Sequence, residues 1–130
     1  MFARQECTMN TPLFDTPAFL RSLNDDADLG RQLVEAFLED SSTRKDELAQ
    51  AFDRGDAAGA AKLAHSLKGM CGVVRCTALF EAAMGMETSA KSGDLEAAMK
   101  LFTTFESMLA QSIEEMRRFL KGEGESDIGA

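Results

Sequence analysis

The chain has no tryptophan or tyrosine, only two prolines and a single histidine among its 130 residues. Valine and isoleucine, the β-branched residues that favour strands, are also scarce, whereas the helix formers alanine, leucine, glutamate and methionine are abundant. No apolar run approaches the roughly 18 residues that a membrane-spanning helix needs. We therefore expect an all-α protein of one domain that lies in the cytoplasm.

Positive charge is also in deficit, because 14 lysines and arginines face 22 acidic residues, for a net charge of −8. This balance argues against binding to nucleic acid or to an anionic membrane surface. The three cysteines cannot all pair, and no metal-ligand spacing joins them to a second histidine. We expect free thiols, no metal and no cofactor, with Cys71 and Cys76 on one helix and pointing in different directions.

Apolar residues recur at spacings of three and four, which predicts amphipathic helices. We expect a short helix over 17–23 that Asp15 or Thr16 caps, and four longer helices over 27–53, 57–75, 78–91 and 95–121. Gly-Asp pairs at 55–56 and 93–94 predict a helix stop followed by the cap of the next helix, and Thr77 is a candidate cap between them. The predicted fold is an antiparallel up-down four-helix bundle with a short extra N-terminal helix. Its predicted span is 13–121, between a flexible lead (1–12) and a flexible acidic tail (122–130).

His65, the only histidine, lies on the predicted helix 57–75 and points away from the apolar face of that helix. Small residues and one lysine surround it on the helical wheel: Ala61, Lys68, Gly69, Gly72 and Cys76. A glycine inside a helix costs about 1 kcal/mol relative to alanine, so two of them indicate that another molecule approaches closely here.

A neutral, exposed imidazole is a good nucleophile at physiological pH. Lys68 follows His65 by three residues and so lies on the same face, where its charge could neutralise a phosphoryl oxygen. Glu87 on the next helix is the candidate that fixes the tautomer of the ring. These three residues are the predicted site.

The ordered motifs of the chain resemble those of the histidine-containing phosphotransfer (HPt) domains of two-component phosphorelays. The matching residues are His65-Ser66-Leu67-Lys68-Gly69, Gly72, Leu79, Met86-Glu87 and Gly93-Asp94, together with the Leu-x-x-x-Phe-Leu-Glu-Asp segment at 33–40 and Gly55-Asp56. The resemblance covers roughly residues 15–120.

The resemblance implies that His65 accepts a phosphoryl group from a sensor or hybrid histidine kinase, or from a receiver aspartyl phosphate, and passes it to a response-regulator receiver domain. Lys68 would offset the phosphate charge and Glu87 would hydrogen-bond the ring, while Mg²⁺ would belong to the receiver. The chain would be a monomeric phosphoryl carrier without kinase activity of its own.

The expected docking surface comprises Ala61, Gly69, Gly72, Arg75 and Cys76. Arg75 stands where the family usually has glycine, and Cys76 where alanine is common. A different class of function stays open: a helical interaction module that binds receivers or kinases without carrying phosphate. An intact His65 beside Lys68 favours the carrier, because an adaptor has no need for a nucleophile.

Overall fold

The computed structural model describes residues 12–122, and every regular element in that range is a helix. Residues 1–11 and 123–130 lie outside the described part of the chain, and with them most of the predicted lead and tail. None of the helices within 12–122 has the length and apolar character needed to cross a membrane. The helices are α1 (Thr16–Ser22), α2 (Ala27–Asp53), α3 (Ala57–Val73), α4 (Thr77–Lys91) and α5 (Leu95–Lys121).

Aspartates set the starts of four of these helices. Each of them accepts a hydrogen bond from the backbone N–H three residues further on, which satisfies one of the unpaired donors of the first turn. The four N-caps are Asp15, Asp26, Asp56 and Asp94. Gly55 and Gly93 precede two of them in the left-handed region, with φ of 68° and 84°, which glycine adopts without strain. The predicted Gly-Asp turns are therefore confirmed in position.

The core lies between the packed faces of the helices. α3 packs against α2 and α4, α5 packs against α4 and along α2, and α1 contacts α2. Fully buried side chains come from all of these helices, including Phe19, Val34, Leu67, Leu79 and Phe105. The long apolar rows that predicted the helices are thus the rows that they bury.

A cluster of phenylalanines closes the end of the bundle that carries α1. Phe14, Phe19 and Phe119 lie with ring centroids 5.3–6.1 Å apart. Glu115 on α5 holds the segment before α1 in place, because its carboxylate accepts hydrogen bonds from the backbone N–H groups of Leu13 (3.0 Å) and Phe14 (2.7 Å). This covering role agrees with the expected short N-terminal helix.

The turn between α3 and α4 differs from the prediction. α3 ends at Val73 rather than 75, and Arg75 adopts a left-handed conformation with φ of 61°. The N–H of Cys76 bonds back to the carbonyl of Cys71 at 3.0 Å, so the chain has already left the helix at that point.

Cys76 therefore does not share a helix with Cys71, and both thiols are buried at 0% exposure. The prediction that Cys76 lies on the docking surface is wrong, because the helical wheel was extended past the last residue of α3. Burial raises the pKa of each thiol to about 12. Cys76 is also the N-cap of α4, in place of the predicted Thr77, and its side chain makes no capping hydrogen bond within residues 12–122.

The conformation of Arg75 leads to a stability prediction. A left-handed conformation costs a residue with a side chain about 1–2 kcal/mol, and glycine loses about 0.5–1 kcal/mol of chain entropy on folding. We expect Arg75→Gly to raise the free energy of unfolding by about 0.5–1 kcal/mol, as measured by denaturant titration. Arg75→Ala is the matched control, because it removes the same charge without relieving the backbone. Equal stabilities for the two variants would contradict this account.

Candidate functional site

Two neighbouring helices supply the candidate site. His65 lies in the middle of α3 with its side chain 67% exposed, and Glu87 lies on α4 with its side chain only 7% exposed. Both helices carry buried alanines, among them Ala64 and Ala83, and such small side chains let two helices approach closely. The close packing brings a carboxylate from one helix beneath an imidazole of the other, as the sequence predicted.

Three nitrogen atoms converge on the Glu87 carboxylate. His65 Nδ1 lies 2.9 Å from Oε2, Lys68 Nζ lies 2.9 Å from Oε1, and Lys91 Nζ lies 3.0 Å from Oε2. A nearly buried carboxylate needs such partners, because it has lost most of its contact with water. The predicted set of His65, Lys68 and Glu87 is therefore assembled in one place.

The charge state of Glu87 fixes the role of the ring. Lys68 above all, with Lys91 and His65, lowers the pKa of Glu87 from 4.5 to about 2, although burial opposes the shift. The carboxylate is thus ionised at neutral pH and can only accept hydrogen bonds. It follows that Nδ1 of His65 donates to the carboxylate, and that Nε2 holds the free lone pair whenever the ring is neutral.

Lys91 is the site residue that sequence reasoning missed. It follows Glu87 by four residues on α4, and a glutamate four residues before a lysine is the favoured order of an ion pair along a helix. That spacing was visible in the sequence. The burial of Glu87, which makes this pair part of the site rather than an ordinary surface pair, was not.

A shallow concavity of about 320 Å³ lies beside the imidazole. Its described lining residues are Ala61, Lys62, His65, Glu87 and Lys91. Lys68 binds the other oxygen of the Glu87 carboxylate, Oε1, and its side chain is 23% exposed. The concavity can hold a small anionic group next to the imidazole, with lysine side chains at its edge.

The predicted docking residues fall into different environments. Gly69 is exposed, and a Cβ built there would meet no atom within 4 Å in the described part of the chain. Gly72 is half-buried, and its Cβ would lie 3.6 Å from Phe80. Ala61 is 7% exposed and lines the concavity, and Arg75 is exposed at the end of α3. Among these predicted docking residues, Cys76 alone is fully buried.

Comparison with known proteins identifies the family of the chain. The family model of the Hpt domain matches residues 32–118, which is more than half of the chain, so the protein belongs to the Hpt domain family. Searches of the curated proteins and of the solved structures found no match. Within residues 12–122, no group of three or more histidine, cysteine, aspartate or glutamate residues could hold a metal ion. Membership of the family supports a phosphotransfer role in two-component signalling.

The lowered pKa of Glu87 predicts how stability depends on pH. Because the folded value of about 2 lies below the ordinary 4.5, the carboxylate stabilises the fold fully above pH 4.5. That contribution is lost as the pH falls from 4.5 towards 2. We expect Glu87→Gln to be less stable than the wild type at pH 7, with a gap that narrows on acidification below pH 4.5, by denaturant titration at each pH.

Glu81→Gln serves as the control, because it removes one exposed carboxylate from the same helix. A gap between Glu87→Gln and the wild type that stays constant from neutral to acidic pH would contradict the ion-pair account.

Proposed function

We propose that this protein carries a phosphoryl group on Nε2 of His65, which it accepts from a kinase or a receiver aspartyl phosphate and passes to a receiver domain. The observation that supports this most is the hydrogen bond from Nδ1 to Glu87 at 2.9 Å. It leaves the lone pair of the outer nitrogen free on a ring that is 67% exposed. A partner can therefore reach the nucleophile without any movement of the core.

The transfer step needs no added base, because no proton has to leave the ring. The Nε2 lone pair of His65 attacks the phosphorus atom, a P–N bond forms, and the P–O bond to the aspartyl carboxylate breaks. The electron pair leaves with that carboxylate, and the Nδ1 proton stays in place. The ring becomes a phosphorylated imidazolium, whose positive charge faces the ionised Glu87. The reverse step delivers the phosphoryl group to the next receiver.

Local charge supports the same step. Glu87 contributes one negative charge, and Lys68 and Lys91 contribute two positive ones, so the ion-pair cluster carries a net charge of +1 on a chain of net charge −8. A positively charged cluster of this kind attracts a phosphoryl group and stabilises its charge during transfer. Lys68 is part of this cluster, as expected from the sequence.

The partners that this proposal implies are a response-regulator receiver domain and a sensor or hybrid histidine kinase. Gly69 and Gly72, with Ala61 and Arg75 at the margins, form the surface on which the receiver would dock. The carrier is proposed to act as a cytoplasmic monomer whose four long helices run up and down in antiparallel order. It has no kinase activity of its own in this proposal, so phosphoryl transfer always involves a partner or a chemical donor.

A non-phosphorylated interaction module is the alternative from another class. Such a module could use the open face at Gly69, where a Cβ would meet no atom within 4 Å in the described part of the chain. It would have no use for a ring held in one tautomer by a nearly buried carboxylate. The geometry around Glu87 therefore favours the carrier.

Removal of the nucleophile tests the proposal directly. We expect His65→Gln to abolish labelling by phosphorylated receiver domains, while circular dichroism shows unchanged helix content, because the side chain is 67% exposed. The wild-type label should be acid-labile and base-stable, and His65 is the only histidine that can carry it. Label that persists in the variant would place the phosphoryl group on another residue.

Gly69→Ala separates docking from folding. Because the added Cβ meets no atom within 4 Å in residues 12–122, we expect the free energy of unfolding to rise by about 1 kcal/mol through helix propensity. We also expect the Kd for a receiver domain to weaken about tenfold, which corresponds to about 1.4 kcal/mol. Denaturant titration measures the free energy of unfolding, and calorimetry measures the Kd. Unchanged receiver affinity would show that Gly69 lies outside the contact.

A further inference from the structure

We infer that Lys91, and not Lys68, is the cation that contacts the phosphoryl group on His65, while Lys68 stays bound to Glu87. This inference rests on the proposed function and deepens it, since the family resemblance gives Lys68 the task of offsetting the phosphate charge and the structure shows Lys68 bound to Glu87. It makes Lys91 a specific part of the transfer machinery rather than a surface lysine.

The position of the concavity is the first reason. The space beside His65 is lined by Lys91 and Lys62 but, among the described residues, not by Lys68. Lys68 binds Oε1 of Glu87, whereas Lys91 binds Oε2, the oxygen that also accepts from the imidazole. Lys91 therefore shares with His65 the same edge of the carboxylate. A phosphoryl group in the concavity would lie on the side of Lys91.

The freedom of the two lysines is the second reason. The Lys68 side chain is 23% exposed, whereas the Lys91 side chain is 66% exposed. The Lys91 ammonium group approaches Glu87 from the solvent side, so Lys91 can leave the carboxylate once another cation takes its place there. Lys68 loses more contact if it moves, because most of its side chain is covered. Lys91 is thus the cation that can exchange partners.

Phosphorylation of His65 itself causes Lys91 to exchange Glu87 for a new partner. In the unmodified site, Oε2 of Glu87 accepts from both the neutral ring and Lys91. Once Nε2 carries the phosphoryl group, the ring is a cation, and its Nδ1–H bond to Oε2 becomes charge-assisted. Glu87 then keeps two positive partners, the ring and Lys68, without Lys91. The released ammonium group can turn to the new phosphoryl oxygens next to it.

The test compares labelling rates with two donors. Phosphoramidate labels the imidazole directly, with formation of the P–N bond to Nε2 and loss of ammonia, and phosphorylated receiver domains are the protein donors. We expect Lys91→Ala to lower the initial rate about tenfold with both, the loss of one charge-assisted hydrogen bond in the transition state. Lys91→Arg should stay within about threefold of the wild type, because it restores the charge.

Two further variants serve as comparisons. Lys100→Ala removes one exposed lysine from α5 and controls for net charge, so its rate should equal that of the wild type. Lys68→Ala should lower the rate less than Lys91→Ala, and it should lower the thermal midpoint more, since Lys68 is the better covered partner of Glu87. Circular dichroism confirms that each variant is folded before its rate is compared.

The possible outcomes separate this inference from the proposed function. A wild type that is labelled on His65, with Lys91→Ala equal to Lys100→Ala and Lys68→Ala slowed tenfold or more, overturns the role of Lys91 and leaves the carrier intact. A wild type that takes no label from phosphoramidate or from any receiver contradicts the carrier, and this inference with it. A selective loss in Lys91→Ala that arginine restores supports both.

Discussion

The site depends on the hydrogen bonds and ion pairs that the Glu87 carboxylate makes. The carboxylate is nearly buried, yet it stays ionised because an imidazole and two lysines surround it within 3.0 Å. An ionised carboxylate cannot donate, and this fixes the proton of His65 on Nδ1 and the lone pair on Nε2. Without Glu87, the ring could take either tautomer and Lys68 would lose its counter-charge. One acidic side chain thus sets the orientation of the ring, the local charge and, in the proposed function, which nitrogen acts as the nucleophile.

The bundle serves this interaction by holding α3 and α4 close together. Buried alanines in both helices permit the approach, and the tight turn at Arg75 joins them with only three residues between Val73 and Thr77. Because His65 lies on the outer side of α3, the reactive ring needs no cavity of its own. The fold therefore holds the imidazole on an open surface, where, in the proposed function, a second protein brings the phosphoryl group and the rest of the chemistry.

Much of this could be predicted from the sequence, because the governing rules are local. The aspartate caps, the Gly-Asp turns and the apolar spacing gave the helix bounds to within one or two residues, and family membership followed from the ordered motifs. The link between His65 and Glu87 needed one tertiary assumption, that their helices pack side by side.

The remaining features depend on geometry that no short pattern specifies. Cys76 was misplaced because the residue that turns left-handed is Arg75 and not the glycine that usually marks such a helix end, and one such residue redirects the chain. Lys91 was overlooked although its spacing to Glu87 is favourable, since such pairs are common on exposed helix faces. Only the burial of Glu87 distinguishes this pair from an ordinary one.

The most direct measurement is the ¹⁵N NMR spectrum of protein labelled on histidine, in which His65 is the only imidazole. The account predicts that the neutral ring carries its proton on Nδ1, with Nε2 at the chemical shift of an unprotonated nitrogen. A ring that is protonated mainly on Nε2 would contradict it, because Glu87 would then not be the group that prepares the nucleophile.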